Sequence, residues 1–322
     1  MELTLNVRRG NGRTSDATHQ AYHVDVEPET SVFEALVKVR EEQDGTLAFR
    51  GNCGVGFCGD CTMRVNGRQE VACLMPVGTA QKDDAIKIDP IPYAPTVKDV
   101  MYDAKRFLWD KVNSLSPGVV SNGEAGGAAQ EATDDELRLV RRAMRCTMCG
   151  ICDQGCTVID VNLDFKGPAA LNKVYRYVFD PRDGLAKERV VAAGETNGMW
   201  DCVHCWEASD HCPFDIDPTH RIMELRDLSL RLGVKSGMGN RQATRHYNAF
   251  ERSVEHSGWL DERNVAIQSY GGLIRGGLKM MPTGLAALRR GKANLLPHPK
   301  RPGAGAIKNL FARYREVTRT QR

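Results

Sequence analysis

Eleven of the 322 residues are cysteine, and their spacing is the first feature that carries chemistry. Cys53, Cys58 and Cys61 run C-x4-C-x2-C, with Cys73 after a short gap. Two irons bridged by two sulfides need four thiolates; this spacing supplies three from one tight loop and the fourth from a strand beyond it. Cys146, Cys149, Cys152 and Cys156 run C-x2-C-x2-C-x3-C, the pattern in which three thiolates serve one cluster and the fourth serves its neighbour. Cys202, Cys205 and Cys212, followed by Pro213, fall on the first, second and fourth positions of the same pattern, and Ala208 holds the third. Exchanging the fourth ligands gives two sites. Cys146, Cys149, Cys152 and Cys212 complete a 4Fe-4S cluster. Cys156, Cys202 and Cys205 leave one corner without a thiolate. That suits 3Fe-4S, or a second 4Fe-4S with a non-cysteine ligand such as Asp210, Ser209 or His204.

Other readings of these residues fit less well. Gly54, Gly56 and Gly59 spell G-x-G-x-x-G, but a cysteine sits inside the motif and no helical pattern follows, so a dinucleotide site is rejected. The glycines are better explained by backbone amides that must approach sulfur. Structural zinc, the metal of a rival binding or structural protein, usually pairs two short C-x2-4-C elements. Disulfides are disfavoured in a reducing compartment, and an odd count does not close a framework.

The elements that must position these residues follow from pattern. Leu3–Val7 and Tyr22–Val26 alternate as strands. Ser31 and Glu34 have capping-box spacing, which predicts a helix to about Gln43. Thr62–Val65 and Glu70–Cys73 flank Asn66-Gly67, a hairpin turn, and Ala85–Ile91 closes a small sheet. Residues 96–115 read as a helix burying Val97, Val100, Met101, Phe107 and Leu108. Residues 116–133 are Gly-, Ala- and Ser-rich and read as a linker. Thr133 and Glu136 form a second capping box, opening a helix that delivers Cys146. Helices are expected over 168–179 and 218–232, the latter with Pro218 behind Asp217, and nothing from 134 to 235 demands a strand.

The net charge of +3 hides an asymmetry. Residues 231–322 hold 18 Lys/Arg and 5 Asp/Glu, whereas residues 1–230 hold 26 and 36. The basic tail, which has no cysteine from 236 onward, is expected to meet an acidic surface. Gly272–Leu288 is apolar with scattered Arg and Lys; because Gly and Pro interrupt it, a subunit contact is expected in preference to lipid. No stretch reaches the roughly 18 apolar residues of a membrane span. No signal peptide is evident, and Arg8-Arg9, with no apolar segment behind, reads as surface charge. A cytoplasmic location is expected, and nucleic acid is not expected among the partners.

At this point the chain resembles the iron–sulfur subunits of succinate dehydrogenase and fumarate reductase. The resemblance covers about residues 1–235. It is carried by the cysteine runs, by PIPYAPTVKDVMYD at 90–103 and by GPAALNKVYRYVFDPRD at 167–183. It implies an α+β chain: a plant-type 2Fe-2S ferredoxin domain of β-grasp fold over 1–105, a helix and linker over 106–133, an all-helical bacterial-type ferredoxin domain over 134–235, and a helical basic extension over 236–322. It also implies relay of electrons between the flavin of an FAD-containing dehydrogenase or reductase subunit and a quinone-side partner. Dicarboxylate chemistry then belongs to the flavoprotein, and no residue here is catalytic. The complex is expected on the inner face of the membrane, held there through partner subunits.

Three departures stand out against that family. Cysteine is usual where Ala208 stands and an apolar residue where Cys205 stands. Proline is usual at Thr157. A quinone-site tryptophan usual just beyond is absent from Val158, Ile159 and Asp160. HSGWLDE at 256–262 and RRGKANLLPHP at 289–299 are similar to the small subunit of heterodisulfide reductases. This implies a non-classical complex whose anchor is heterodisulfide-reductase-like, and leaves an electron-transfer subunit of a thiol-linked heterodisulfide-reductase-type enzyme as the alternative.

Overall fold

The computed structural model describes residues 1–12, 17–115, 118–121, 131–234, 241–292 and 299–320. They form two compact units, residues 1–234 and 235–322.

The first unit begins with a five-stranded mixed sheet in the order β2-β1-β5-β3-β4. Its strands are β1 (Glu2–Arg9), β2 (Thr18–Asp25), β3 (Thr62–Val65), β4 (Arg68–Val71) and β5 (Ala85–Asp89). β1 pairs antiparallel with β2 and parallel with β5. Alternation sends Leu3, Leu5 and Val7 into the core, as a half-buried strand requires. The helix Val32–Glu42 lays Val32, Ala35, Leu36 and Val39 on that core. It starts where the capping box places it: Ser31 Oγ accepts the Glu34 N–H at 3.2 Å, and Glu34 Oε2 accepts the Ser31 N–H at 2.8 Å. The β3–β4 hairpin turns on Asn66 and Gly67, with φ of 49° and 85°, the two positive values that such a turn demands.

Two expectations are corrected nearby. Residues 96–102 form a hairpin, β6 (Thr96–Lys98) with β7 (Met101–Tyr102), and helical turns begin only at Lys105. Val97 is 49% exposed. The cause is Asp99, buried at the turn with φ 50°. Its carboxylate accepts the N–H of Gly10 at 3.0 Å and of Ala48 at 2.8 Å, and pairs with Arg9 at 2.7 Å. Those bonds hold the backbone extended where periodicity alone allows a helix. For the same reason Arg8-Arg9 is not surface charge: Arg8 is buried and donates to the carbonyls of Asp99 and Gly12.

No strand occurs among the described residues 131–234. Helix Asp134–Arg141 starts at the Thr133–Glu136 capping box. Helix Gly167–Val178 is central, burying Ala169, Ala170, Leu171, Val174 and Tyr175. Helix Pro218–Arg231 packs on it, with Arg221 Nη1 donating to the Tyr175 hydroxyl at 2.9 Å. The sheet and this helical part share apolar core, since Cys149 and Ile151 are buried with Leu36, Cys61 and Met63.

The second unit contains helices Arg241–Ser257, Glu262–Ser269, Leu273–Arg289 and Ala304–Thr320. Leu273–Arg289 is continuous although Pro282 lies inside it. Most of the expected linker at 116–133 and residues 293–298 of RRGKANLLPHP lie outside the described residues.

Candidate iron–sulfur sites

The loop from Gly51 to Cys61 is shaped by its glycines. Gly54, Gly56 and Gly59 take φ of 68°, 75° and 71°, values that side chains resist. The resulting curl turns backbone N–H groups onto sulfur. Cys53 Sγ accepts from Phe57 and Cys58 at 3.2 Å each and from Val55 at 3.5 Å. Cys73 Sγ accepts from Gly56 at 3.0 Å, Cys58 Sγ from Asp60 at 3.5 Å, and Cys61 Sγ from Cys73 at 3.4 Å. All four sulfurs of the group are thus satisfied by amides, the environment that stabilises sulfur carrying negative charge. The N–H of Val55, then that of Cys58, brings the Cys53 thiol down to about 7. Burial pushes Cys61 up to about 12. Cys73 arrives in a tight turn, Ala72–Leu74, directly after β4 rather than in the strand itself.

Gly59 has a further role. A Cβ there would fall 2.5 Å from Cα and Cβ of Cys149. The first cysteine loop therefore touches the second cysteine run backbone to backbone, an approach only glycine permits.

The runs 146–156 and 202–212 repeat one backbone. A short 3-10 turn, Ala143–Arg145 or Met199–Asp201, precedes the first cysteine. Met148 and His204, each two residues later, take φ of 60° and 55°. Gly150 and Trp206 take 76° and 65°. One helical turn follows each, Ile151–Gln154 and Glu207–Asp210. In this superposition of roles Ala208 occupies the place of Cys152. Cys156 precedes helix Thr157–Val161 and Cys212 precedes Pro213.

The structure brings Cys146, Cys149, Cys152 and Cys212 around one cavity of about 20 Å³, closed by Met148, Ile151, Phe214 and Ile216 among others. Burial pushes the Cys149 thiol up to about 12 and raises Cys146 and Cys152 as well. A thiolate is stable in so apolar a place only beside cations, which irons would supply. The four convergent thiols fit the donor set of an iron–sulfur group. Next to it Asp153 is fully buried; its Oδ1 accepts the Ala169 N–H at 2.8 Å, and burial raises its carboxyl to about 6.

The third set is more open. Cys156 is buried, which lifts its thiol to about 11. Cys205 is exposed, and the Thr157 hydroxyl donates to its Sγ at 3.1 Å. This bond ties the residue after the first run to the second cysteine of the second run, a contact that cysteine spacing does not reveal. Arg226 is buried beside the set, donating to the carbonyls of Met199 and Cys202. The expected non-cysteine candidates separate. Ser209 Oγ donates to Asp217 at 2.7 Å and accepts from Thr219, so it caps a helix. Asp210 is exposed. His204 keeps a buried Nε2 with no hydrogen-bond partner, and burial lowers its imidazole to about 4.

Comparisons agree with this layout. Residues 4–109 match the family model of a 2Fe-2S iron-sulfur cluster binding domain, and residues 142–216 that of a 4Fe-4S dicluster domain. The chain is 33% identical over 214 residues to a mitochondrial succinate dehydrogenase iron-sulfur subunit of Oryza sativa, covering 65% of this chain and 68% of that protein. It is 28% identical over 282 residues to the 8-methylmenaquinol:fumarate reductase iron-sulfur subunit of Wolinella succinogenes, covering 84% of each. Among solved structures, a chain of the Mycobacterium smegmatis Sdh1 complex has the same fold, with a TM-score of 0.62 and 20% identity over 71% of this chain and 96% of that one. With cysteine runs, cavity, α+β fold and relatives in accord, the chain belongs to the family of iron–sulfur subunits of succinate dehydrogenase and fumarate reductase.

Proposed function

We propose that this chain is a three-centre electron relay between the flavin of an FAD-containing subunit and a quinone-side partner, in a complex that interconverts succinate and fumarate. Bound clusters supply one-electron carriers; the chain's own residues hold them close, dry and tuned. The assigned sets are Cys53, Cys58, Cys61 and Cys73 for 2Fe-2S, Cys146, Cys149, Cys152 and Cys212 for 4Fe-4S, and Cys156, Cys202 and Cys205 for 3Fe-4S. The domains are assigned accordingly: a plant-type ferredoxin of β-grasp form over 1–105, a connector over 106–133, a helical bacterial-type ferredoxin over 134–235 and a partner-binding extension over 236–322.

The observation that carries the reading is the middle cavity. Its four thiols come from both runs, and its Cys149 lies directly against Gly59 of the first loop. The three sets therefore form a series in which each adjoins the next. The two ends are the open ones. Val55, Phe57 and Leu74 are exposed around the first loop, and Val161, Val203 and Trp206 near the third set. Exposed apolar side chains gathered at two such places suit two partner contacts, the flavoprotein at the first and the acceptor subunit at the second. That acceptor is a membrane anchor or a heterodisulfide-reductase-like subunit, and places the complex on the cytoplasmic face of the membrane.

The test is paramagnetic resonance of the purified native complex. Succinate should reduce the clusters in the absence of any other donor. Zinc in place of iron and acid-labile sulfide, or clusters that respond to thiols and not to succinate, would overturn the proposal.

A further inference from the structure

Helix Leu273–Arg289 has a packed side and an adjoining exposed apolar side. Gly276 is buried against the backbone of Ile267, and Met280 and Ala287 lie on the same side, along the groove shared with helix Glu262–Ser269. Leu273, Ile274, Leu278, Met281, Leu285 and Leu288 are all exposed, Ile274 at 81% and Leu278 at 66%. At 3.6 residues per turn these six fall within about 140° of one another; Met281, Leu285 and Leu288 also form one wall of the groove, and Leu273 lies at the edge of the packed side. Arg275 and Arg289 border the stripe along one edge, and Lys279 lies over the Tyr270 ring at 4.8 Å. Between Glu262 and Glu316 there is no acidic residue at all, against eleven Lys and Arg. The groove, about 630 Å³, is walled in part by the stripe and continues the apolar surface through Gly277 and Gly284, with Lys292 also in its lining.

We propose that this face lies on an anionic lipid surface, so that the chain makes its own contact with the membrane. Three observations favour lipid over a protein groove. The stripe is purely aliphatic and thioether in character, whereas protein interfaces centre on aromatic anchors and polar contacts that fix register. It runs the length of a 17-residue helix and is bordered by cations, the arrangement of an interfacial helix. The unbroken run of positive charge complements a negative leaflet rather than one ion pair. The structure also removes the objection from composition, because the helix is continuous across Pro282. None of this depends on which cysteines bind which cluster.

Sedimentation of the full-length, cluster-loaded protein with vesicles tests the proposal. It should sediment with vesicles of one part phosphatidylglycerol to three parts phosphatidylcholine, less so in high salt, and not with phosphatidylcholine alone. Leu278→Glu combined with Leu285→Glu changes only exposed positions. It should weaken binding by at least about a hundredfold, with iron content and helix signal unchanged. Wild-type protein left in the supernatant beside anionic vesicles overturns the proposal, as does a double variant that binds as well as wild type. A face that ignores vesicles, but whose double variant loses the acceptor-side subunit, overturns it in favour of a protein partner.

Discussion

Met148 and His204 share a left-handed backbone, and so do Gly150 and Trp206. The first run meets the second of these needs with glycine; the second run meets it with tryptophan, at a steric cost of about 1–2 kcal/mol. The trace is thus kept even where the side chain opposes it. What differs is the setting. Cys149 and Cys152 are buried, whereas Cys205 is exposed and Cys152 has become Ala208. A duplicated backbone can present thiols in the same way twice, while burial decides which site is sealed between neighbours and which can exchange with a partner.

The sharpest way to break this comparison is Cys152→Ala. It removes one of four thiols from a closed cavity, and the loss of about four irons per chain is expected, with the 2Fe-2S signal kept. Low-temperature resonance and iron analysis measure it; retention of every signal would mean that Cys152 has no such role. The complementary change, Ala208→Cys, should make the second run like the first. About one further iron per chain is expected, and the resonance of an oxidised three-iron centre should vanish. If the wild type already lacks that resonance, a non-cysteine ligand is indicated, and His204, with its buried Nε2, is then replaced before the exposed Asp210. The smallest effect is expected of Thr157→Val. It removes a hydroxyl that stabilises charge on Cys205 Sγ, so the potential of the third site should fall by on the order of tens of millivolts. A redox titration followed by resonance reads this shift, and an unchanged potential would separate the hydroxyl from the tuning.

The two iron–sulfur domains were legible because cysteine spacing is a local property, and the capping boxes at Ser31 and Thr133 were legible for the same reason. Contacts distant in sequence were not. Val97, Val100 and Met101 fit a helix as well as a hairpin, and only the bonds from Asp99 to Gly10 and Ala48 decide between them. Arg8 and Arg9 look like solvent charge until their partner, 90 residues away, is placed. The repeat of the two runs was visible in cysteines but not in backbone, since Met148, His204 and Trp206 carry no sequence mark of positive φ. Gly59 was read as serving the first site alone; its closeness to Cys149 emerges only when both runs are folded.

Asp99 also bears on timing. The N-terminal strand is completed by a parallel partner at Ala85–Asp89 and locked by a carboxylate ninety residues downstream. Such non-local closure is slow and comes late. On a ribosome adding about 5–20 residues per second, Cys53, Cys58 and Cys61 emerge several seconds before the frame around them can form. During that interval their thiols are open to solvent, to oxidants and to whatever delivers iron and sulfide. The fold thus presents the thiols of the first loop before the parallel strand and the Asp99 bonds that frame it are in place.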